Sequence, residues 1–548
     1  MKLKELTIPN YKGFVDFTTT FDQESPITTF IGQNGVGKSN LIEIIVSIFR
    51  AMDLGEQTDF SYILIYECRG HDIQVRFELD NNNKNNVVNI DGVKRSFAFL
   101  KKNANEYLPL NVFTYYSGTN WRVEELFVKH QTQFYKALTE GNEQLIRRFF
   151  YCRDVHSFFV LLAFLVDDDP ACIELIKKLG ITSLDSVLFC LKKPYWFKNK
   201  PSEIMKNEGD PRFWYSRGIV KDFLNNLWKE AIAPIDNNER KTIDFRGRSE
   251  NQDRLYLFLP DKEALERLNV NYPDTANFFK NIESTYIADL LEKVDVTVTL
   301  ESGKQVTFDQ LSEGERQLLT VLGLMKFTRD DESLFLLDEP DTHLNPRWKL
   351  DYFDQIKKIL DHKIEGSDKT AWDSSQVILT THDPIMLTSL HAEQVRVLID
   401  EETAGKHSVV PAEEPINMGV EAIIQSELYG IRTSLDESLQ IKIDRRNELL
   451  ALLSGVTFND EGELVENKKC SKQEANKYKS ELDELNKELD EAGFNSAHPN
   501  PYFSNFAKAL SRSDEFKQPY FDDEEYDRVQ ALSDKLLARV IEKGALND

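Results

Sequence analysis

The sequence predicts an α/β fold, and three stretches carry that prediction. "ITTFIGQNGVGKSNLIEII" passes from an apolar run through a glycine-rich loop into a helical pattern. "SLFLLDEPDTHLNP" and "QVILTTHDPIML" are two more apolar runs of strand length, each ending in residues able to do chemistry. Short continuous apolar runs of this kind read as buried strands of a parallel sheet, whose C-terminal edge is where ligands collect.

Taken in order, "KLKELTI" and "YKGFVDFTTTF" alternate polar and apolar residues, as half-buried strands do, and lead into the buried strand "ITTFI". "SNLIEIIVSIFRAM" reads as a helix opened by Ser39 or Asn40. Strands near "YILIYE" and "DIQVRFELD" flank polar "NNNKNNVVNIDG", which reads as a hairpin tip. Residues 1–120 are thus the first part of the phosphate-binding lobe. Residues 121–290 read as a mainly helical insertion without heptads or internal repeats. Residues 291–410 return to strand at "VDVTVTLESGKQVTF" and complete the lobe. Residues 411–548 read as a helical C-terminal region suited to binding a partner. There "SLQIKIDRRNELLALLSG" and "EANKYKSELDELNKELDEAGF" form an expected antiparallel pair with a seam at Tyr478, Leu482, Leu485 and Leu489. A polar linker, "VTFNDEGELVENKKC", joins them, and "DDEE" (Asp522 to Glu525) precedes an expected final helix.

Composition narrows the function. The 548 residues carry a net charge of −25, which repels nucleic acid from the molecule as a whole. From Glu401 onward 31 acidic residues face 18 basic ones, so 13 of the excess negative charges lie in that last part. Cys68, Cys152, Cys172, Cys190 and Cys470 form no C-x-x-C pair and read as buried thiols, not zinc ligands or a disulfide framework. The longest apolar run, Phe158 to Val166, is too short to span a bilayer, and "MKLKELTIPN" lacks the apolar core of a signal peptide. A cytoplasmic location without a membrane partner is expected.

Four motifs carry the chemistry. In the loop Gly32, Gln33, Asn34, Gly35, Val36, Gly37, Lys38, Ser39 and Asn40, successive backbone N–H groups would cradle phosphates, aided by the positive end of the following helix. Lys38 would neutralise phosphate charge and Ser39 would ligate Mg²⁺. Asp338 and Glu339 stand at the end of "FLLDEP", Asp338 to hold Mg²⁺ through water, Glu339 to deprotonate an attacking water. "LSEGERQ" opens an amphipathic helix, with Ser312 and Glu315 spaced as a capping box and Gly314 between them. A helix start of this kind is also an anion site. His382 follows a buried strand by one step and could hydrogen-bond a γ-phosphate.

Together and in this order, "GQNGVGKSN", "LSEGERQ", "LLDEP" and His382 resemble the ATP-binding-cassette ATPases of the SMC and RecF type. The resemblance spans roughly residues 1–60 and 290–400. It implies an ABC-type P-loop ATPase head, with ATP and Mg²⁺ as its ligands. It also implies a dimer, or a higher oligomer, in which two subunits sandwich ATP and the loop of one faces Ser312 of the other. The glutamine that senses Mg²⁺ in this family has no clear place. Gln131 and Gln133 are candidates, and "YYSGTN" (Tyr115 to Asn120) occupies the corresponding stretch.

More narrowly, "VFTYYSGTN", "DEPDTHLNP" and "SELYGIRTSLDESLQIKIDRRNELLALL" are similar to the PtuA-type ATPases of Septu and retron anti-phage systems. That resemblance implies a separate HNH-type nuclease as partner and, in the retron version, a reverse transcriptase with its RNA–DNA product. No nuclease constellation is legible here: "LIDEE" lacks a later Asp-x-Asp pair, and "DDEE" reads as a solvated face. Residues 191–221, with eight basic and three acidic residues among interleaved aromatics, could touch nucleic acid; an aromatic core segment with a lysine rim is the preferred reading. The expected function is an ATP-hydrolysing effector subunit that gates a nuclease. The rivals are a RecF-like repair ATPase acting directly on DNA and an ATP-gated scaffold with incidental turnover.

Overall fold

The computed structural model describes residues 1–491 except 80–85, 119–120, 143–146, 199, 243–245, 248, 330–331, 364–369, 402–404, 427, 430–435, 455, 459–463 and 467–471. The chain parts into two compact units, Met1–Arg432 and Thr433–Asp548.

The first unit is organised by a seven-stranded sheet. In spatial order its strands are Gly405–Val409, Val395–Glu401, Ile27–Gly32, Gln376–Thr380, Leu334–Asp338, Val112–Tyr116 and Phe149–Tyr151. All neighbours are parallel except the first pair. The apolar runs of the sequence are its centre: every residue of Leu334–Asp338 and Gln376–Thr380 is buried. Alternate residues face two cores. Phe335, Leu337, Val377 and Leu379 point into one; Leu334, Leu336 and Ile378 point into the other.

The second of these cores holds the helix Lys38–Leu54 and an antiparallel sheet built from the N-terminal strands and their successors through Val93–Arg95. Here one expectation is corrected. "VVNI" is not part of a hairpin tip but a strand, Val87–Ile90, paired with His71–Phe77. The tight turn lies earlier, at Arg69 and Gly70, both at positive φ, joining Tyr62–Cys68 to His71–Phe77. The polar residues 80–85 lie outside the described residues.

The first core holds the insertion. Beside its helices, residues 121–290 contribute three long strands, Ile181–Lys192, Ile232–Thr242 and Ser249–Leu259. With Leu291–Leu300 and Gln305–Thr307 they form a five-stranded antiparallel sheet. The insertion is not a separate body. Its helix His156–Leu165 packs on the helix Glu313–Phe327 so closely that a Cβ at Gly323 would lie 2.1 Å from Val160 Cγ1. Only glycine permits that approach.

The basic stretch 191–221 is largely neutralised where it is described. Lys192 pairs with Asp289, Lys193 with Asp253, Arg217 with Glu208, and Arg212 with Asp210. Phe213 is fully buried and the Trp196 indole N–H donates to the Ala288 carbonyl at 2.9 Å. These partners favour the folded-core reading over a nucleic-acid face.

In the second unit the helices Glu437–Ser454 and Lys472–Glu491 are joined by Lys442–Glu488 at 2.9 Å and Arg445–Glu481 at 2.8 Å. The pairing of early with late residues makes them antiparallel, and Leu489 of the expected seam is buried. Within the linker, Val456–Phe458 and Leu464–Glu466 pair as a small ladder. Cys470 and residues 522–525 lie outside the described residues; the other four cysteines are free and buried. Among the described residues no helix is long and apolar enough to cross a membrane.

Candidate active site

The parallel register brings the motifs to one edge. Asp338 lies level with Thr380 on one side and Tyr116 on the other, while Thr380 pairs with Phe30, two residues before Gly32. Stretches far apart in sequence thus end together because their strands start together.

The phosphate loop leaves the strand Ile27–Gly32 and turns through Gly35 and Gly37 at φ 85° and 114°. Gly37 is doubly required: its φ is left-handed, and a Cβ there would come within 2.9 Å of Phe14. Gly37, and neither Ser39 nor Asn40, caps the helix, which starts at Lys38. Glycine offers no side-chain acceptor, so the first N–H groups of the helix are left for an anion. Lys38 is 6% exposed and donates to the Gly32 carbonyl at 2.9 Å. Burial lowers its pKa, while the nearby carboxylates of Glu339 and Asp338 act to raise it. Lysine and carboxylates therefore share one electrostatic site.

Asp338 is 2% exposed. Thr380 Oγ1 donates to it at 2.6 Å. Burial pushes its carboxyl above the ordinary value, while Thr380 and the nearby Ser39 hydroxyl act to lower it. A hydroxyl and a carboxylate close together are the hard oxygen donors that Mg²⁺ takes, so Ser39 and Asp338 fit that ion.

Glu339 sits at φ 49°, a strained conformation for a residue with a Cβ. It is held there by its N–H, which donates to the carbonyl and hydroxyl oxygens of Thr380, each at 3.1 Å. Its carboxylate meets His382 Nδ1 at 3.2 Å. The two residues picked for catalysis from separate motifs are therefore in contact. Behind them Thr381 Oγ1 donates to buried Asp341 at 2.9 Å, and Lys349 pairs with Asp383, fixing the loops that follow both strands.

Ser312 caps the helix Glu313–Phe327 in a complete capping box with Glu315. Gly314 serves another purpose. A Cβ there would lie 2.2 Å from the His343 carbonyl oxygen, so the helix start presses on the loop after Glu339. Gln317 ties the same two segments, donating to the Pro340 carbonyl at 2.8 Å. Among the described residues no hydrogen bond or ion pair joins Ser312, Gly314 or Glu315 to the phosphate loop of their own chain. Gly314→Ala is expected to cost about 1–3 kcal/mol by overpacking. An unfolding midpoint equal to the wild type would show that the contact yields.

The glutamine candidates do not reach this edge. Gln131 accepts from Arg153 at 2.7 Å, and Gln133 is exposed. Sequence reasoning also missed Thr380, Thr381, Asp341 and Gln317. The threonines were visible as polar residues closing an apolar strand.

Residues 1–152 match the family described as "AAA ATPase domain", and residues 202–388 match "AAA domain, putative AbiEii toxin, Type IV TA system". The chain is 21% identical over 444 residues to the "Retron Vc95 probable ATPase" of Vibrio cholerae serotype O1 biovar El Tor, covering 73% of each. It is 24% identical over 181 residues to the "Septu protein PtuA" of Bacillus mycoides (strain KBAB4), covering 31% of this chain and 24% of that protein. A crystal structure of an SmcHead bound to the C-winged helix domain of ScpA aligns over 75% of this chain and 98% of that one, at 10% identity and a TM-score of 0.32. With two ATPase domain matches and an ATPase-named relative covering most of its length, the chain is an ATPase, similar to those named for retron and Septu systems.

Proposed function

We propose that the chain binds Mg²⁺–ATP in the loop Gly32–Asn40 and hydrolyses it as the ATPase subunit of an anti-phage defence system of the Septu or retron kind. The observation that carries the chemistry is the meeting of Lys38, Ser39, Asp338, Glu339 and His382 at one sheet edge. Loop N–H groups and Lys38 hold the phosphates. Ser39 and Asp338 hold Mg²⁺, which when bound neutralises charge on the phosphate oxygens. Glu339 would take the proton of the attacking water, and His382, hydrogen-bonded to Glu339, would orient that carboxylate and could hydrogen-bond a γ-phosphate.

The exposed Ser312 at the start of the signature helix supports a two-subunit arrangement. Ser312 has no described bond to the phosphate loop of its own chain and would complete the loop of a second copy, making ATP part of the interface. The names of the relatives support a defence role. In the proposed reading an ATP-dependent dimer gates a separate HNH-type nuclease, with a reverse transcriptase and its RNA–DNA product in the retron form. The chain's own described residues favour a separate nuclease. Their one grouping of three metal-ligating side chains, Asp167, Asp169 and Cys172, is already filled by the Lys326 ammonium, 2.9 Å from each.

Affinity purification from cells carrying the native gene neighbourhood tests this reading. A co-purifying nuclease, lost or released on Lys38→Ala, is expected. A bare dimer whose turnover rises with DNA alone would move the assignment to a RecF-like repair ATPase. Full biological activity in a turnover-dead variant would leave only an ATP-gated scaffold.

A further inference from the structure

The stretch where this class places its Mg²⁺-sensing glutamine holds a different side chain at the nucleotide edge. After the strand Val112–Tyr116, the Ser117 N–H donates to the Asp338 carbonyl at 3.2 Å, which ties the following segment to the Mg²⁺-binding aspartate. Arg122 then reaches back across the sheet edge. Its guanidinium donates to Asn40 Oδ1 at 2.9 Å, lies 3.9 Å from Glu43, and stacks over the Tyr116 ring at 5.5 Å. Asn40 is the neighbour of Ser39, and the positive charge of Arg122 is felt at Asp338, where it favours the carboxylate. A cation is thus fixed beside the two groups proposed to hold Mg²⁺.

We propose that Arg122 takes the station of the sensing glutamine and reads whether a γ-phosphate is present. This rests on the reading that ATP phosphates occupy the Gly32–Asn40 loop. Glutamine offers a neutral amide. Arginine offers a planar fork of donors with a permanent charge, and gains charge-assisted bonds when a third phosphoryl group arrives. The same segment carries the signal onward. Glu124, two residues later, accepts from Arg153 at 2.8 Å. Arg153 and Glu124 line a cavity of about 340 Å³ together with Arg316 and Gln317 of the signature helix. A shift of Arg122 toward phosphate therefore pulls on a segment that abuts both the insertion and the signature helix.

The test is the preference for triphosphate over diphosphate, measured by calorimetry on the full-length protein with Mg²⁺, using ADP and a non-hydrolysable ATP analogue. Arg122→Ala is expected to weaken analogue binding by about 10–100-fold, the worth of one charge-assisted contact, while ADP affinity changes far less. Arg122→Lys, which keeps the charge, should recover part of the preference. Arg122→Met, which keeps bulk but has neither charge nor donor, gives the same readout should the alanine variant fold poorly. Equal losses for both nucleotides, or none for either, would overturn the proposal and leave Arg122 a brace for Asn40. Lys38→Ala separates the two levels: if it leaves analogue binding intact, the phosphate-loop reading has failed, and if it abolishes binding while Arg122→Ala keeps the preference, only the sensor has failed.

Discussion

Glu339→Gln is expected to bind ATP with near wild-type affinity and to turn it over about 10²–10⁴-fold more slowly, the usual contribution of a positioned general base. The substitution is nearly isosteric. It keeps the N–H bonds to Thr380 that hold the strained backbone, so the site should keep its shape. It removes the carboxylate that faces His382 and that would accept the proton of water. Steady-state phosphate release and an equilibrium nucleotide titration check both halves. Normal turnover would take Glu339 out of its role. Lost binding would show that the charge supports the loop through Lys38, whose pKa it acts to raise.

The second large effect is on stability and lies away from the nucleotide. Arg147, His156 and Glu283 are buried together. Arg147 pairs with Glu283 at 2.9 Å and lies 3.8 Å over the Phe150 ring; His156 Nε2 is 3.4 Å from the same carboxylate. Arg147→Met should cost about 3–5 kcal/mol, because Glu283 would be left buried without its cation. Adding Glu283→Gln should restore part of that loss, and the pair should couple in a double-mutant cycle. An unchanged denaturation midpoint in the single variant would refute this account. The cluster also predicts a pH dependence. Burial lowers the pKa of His156 from its ordinary 6.5, and the cation of Arg147 helps hold Glu283 below its own ordinary value against burial. Both groups bind protons more readily in the unfolded chain. Their contribution is therefore present at neutral pH, begins to fall as the pH drops below about 6.5 through His156, and falls again through the carboxylate range. Denaturation midpoints at pH 7.5 and 5.5 in wild type and in Arg147→Met check the sign.

The phosphate loop, Asp338, Glu339, the capped signature helix and His382 were legible in the sequence because each signal is local. A strand whose four apolar residues Leu334 to Leu337 run into Asp338 announces its own end, and Gly37 and Lys38 announce the turn they make. Arg122 and Asn40 are 82 residues apart, and they meet although two other strands lie between the strands that lead to them. The long strands of the insertion were hidden for another reason. "ITSLDSVLFCLK" alternates only in part, since Val187, Phe189, Cys190 and Leu191 are all buried between helices and sheet partners, and a continuous apolar run does not declare its period. "VVNI" was masked by the polar residues around it, although Val88 and Ile90 face the core.

The notch at Gly323 sets a rule for recombination. Because Val160 of the insertion sits where a Cβ of the signature helix would be, the two helices are a matched pair, cut to each other's shape. Transplanting the insertion of a relative onto this ATPase, or deleting it to leave a minimal head, would put a foreign residue or a void against the helix that carries Ser312 and Gly314. Chimaeras should fold when helices 156–165 and 313–327 travel together and fail when they are parted, so the natural unit of exchange crosses the boundary that the motifs draw.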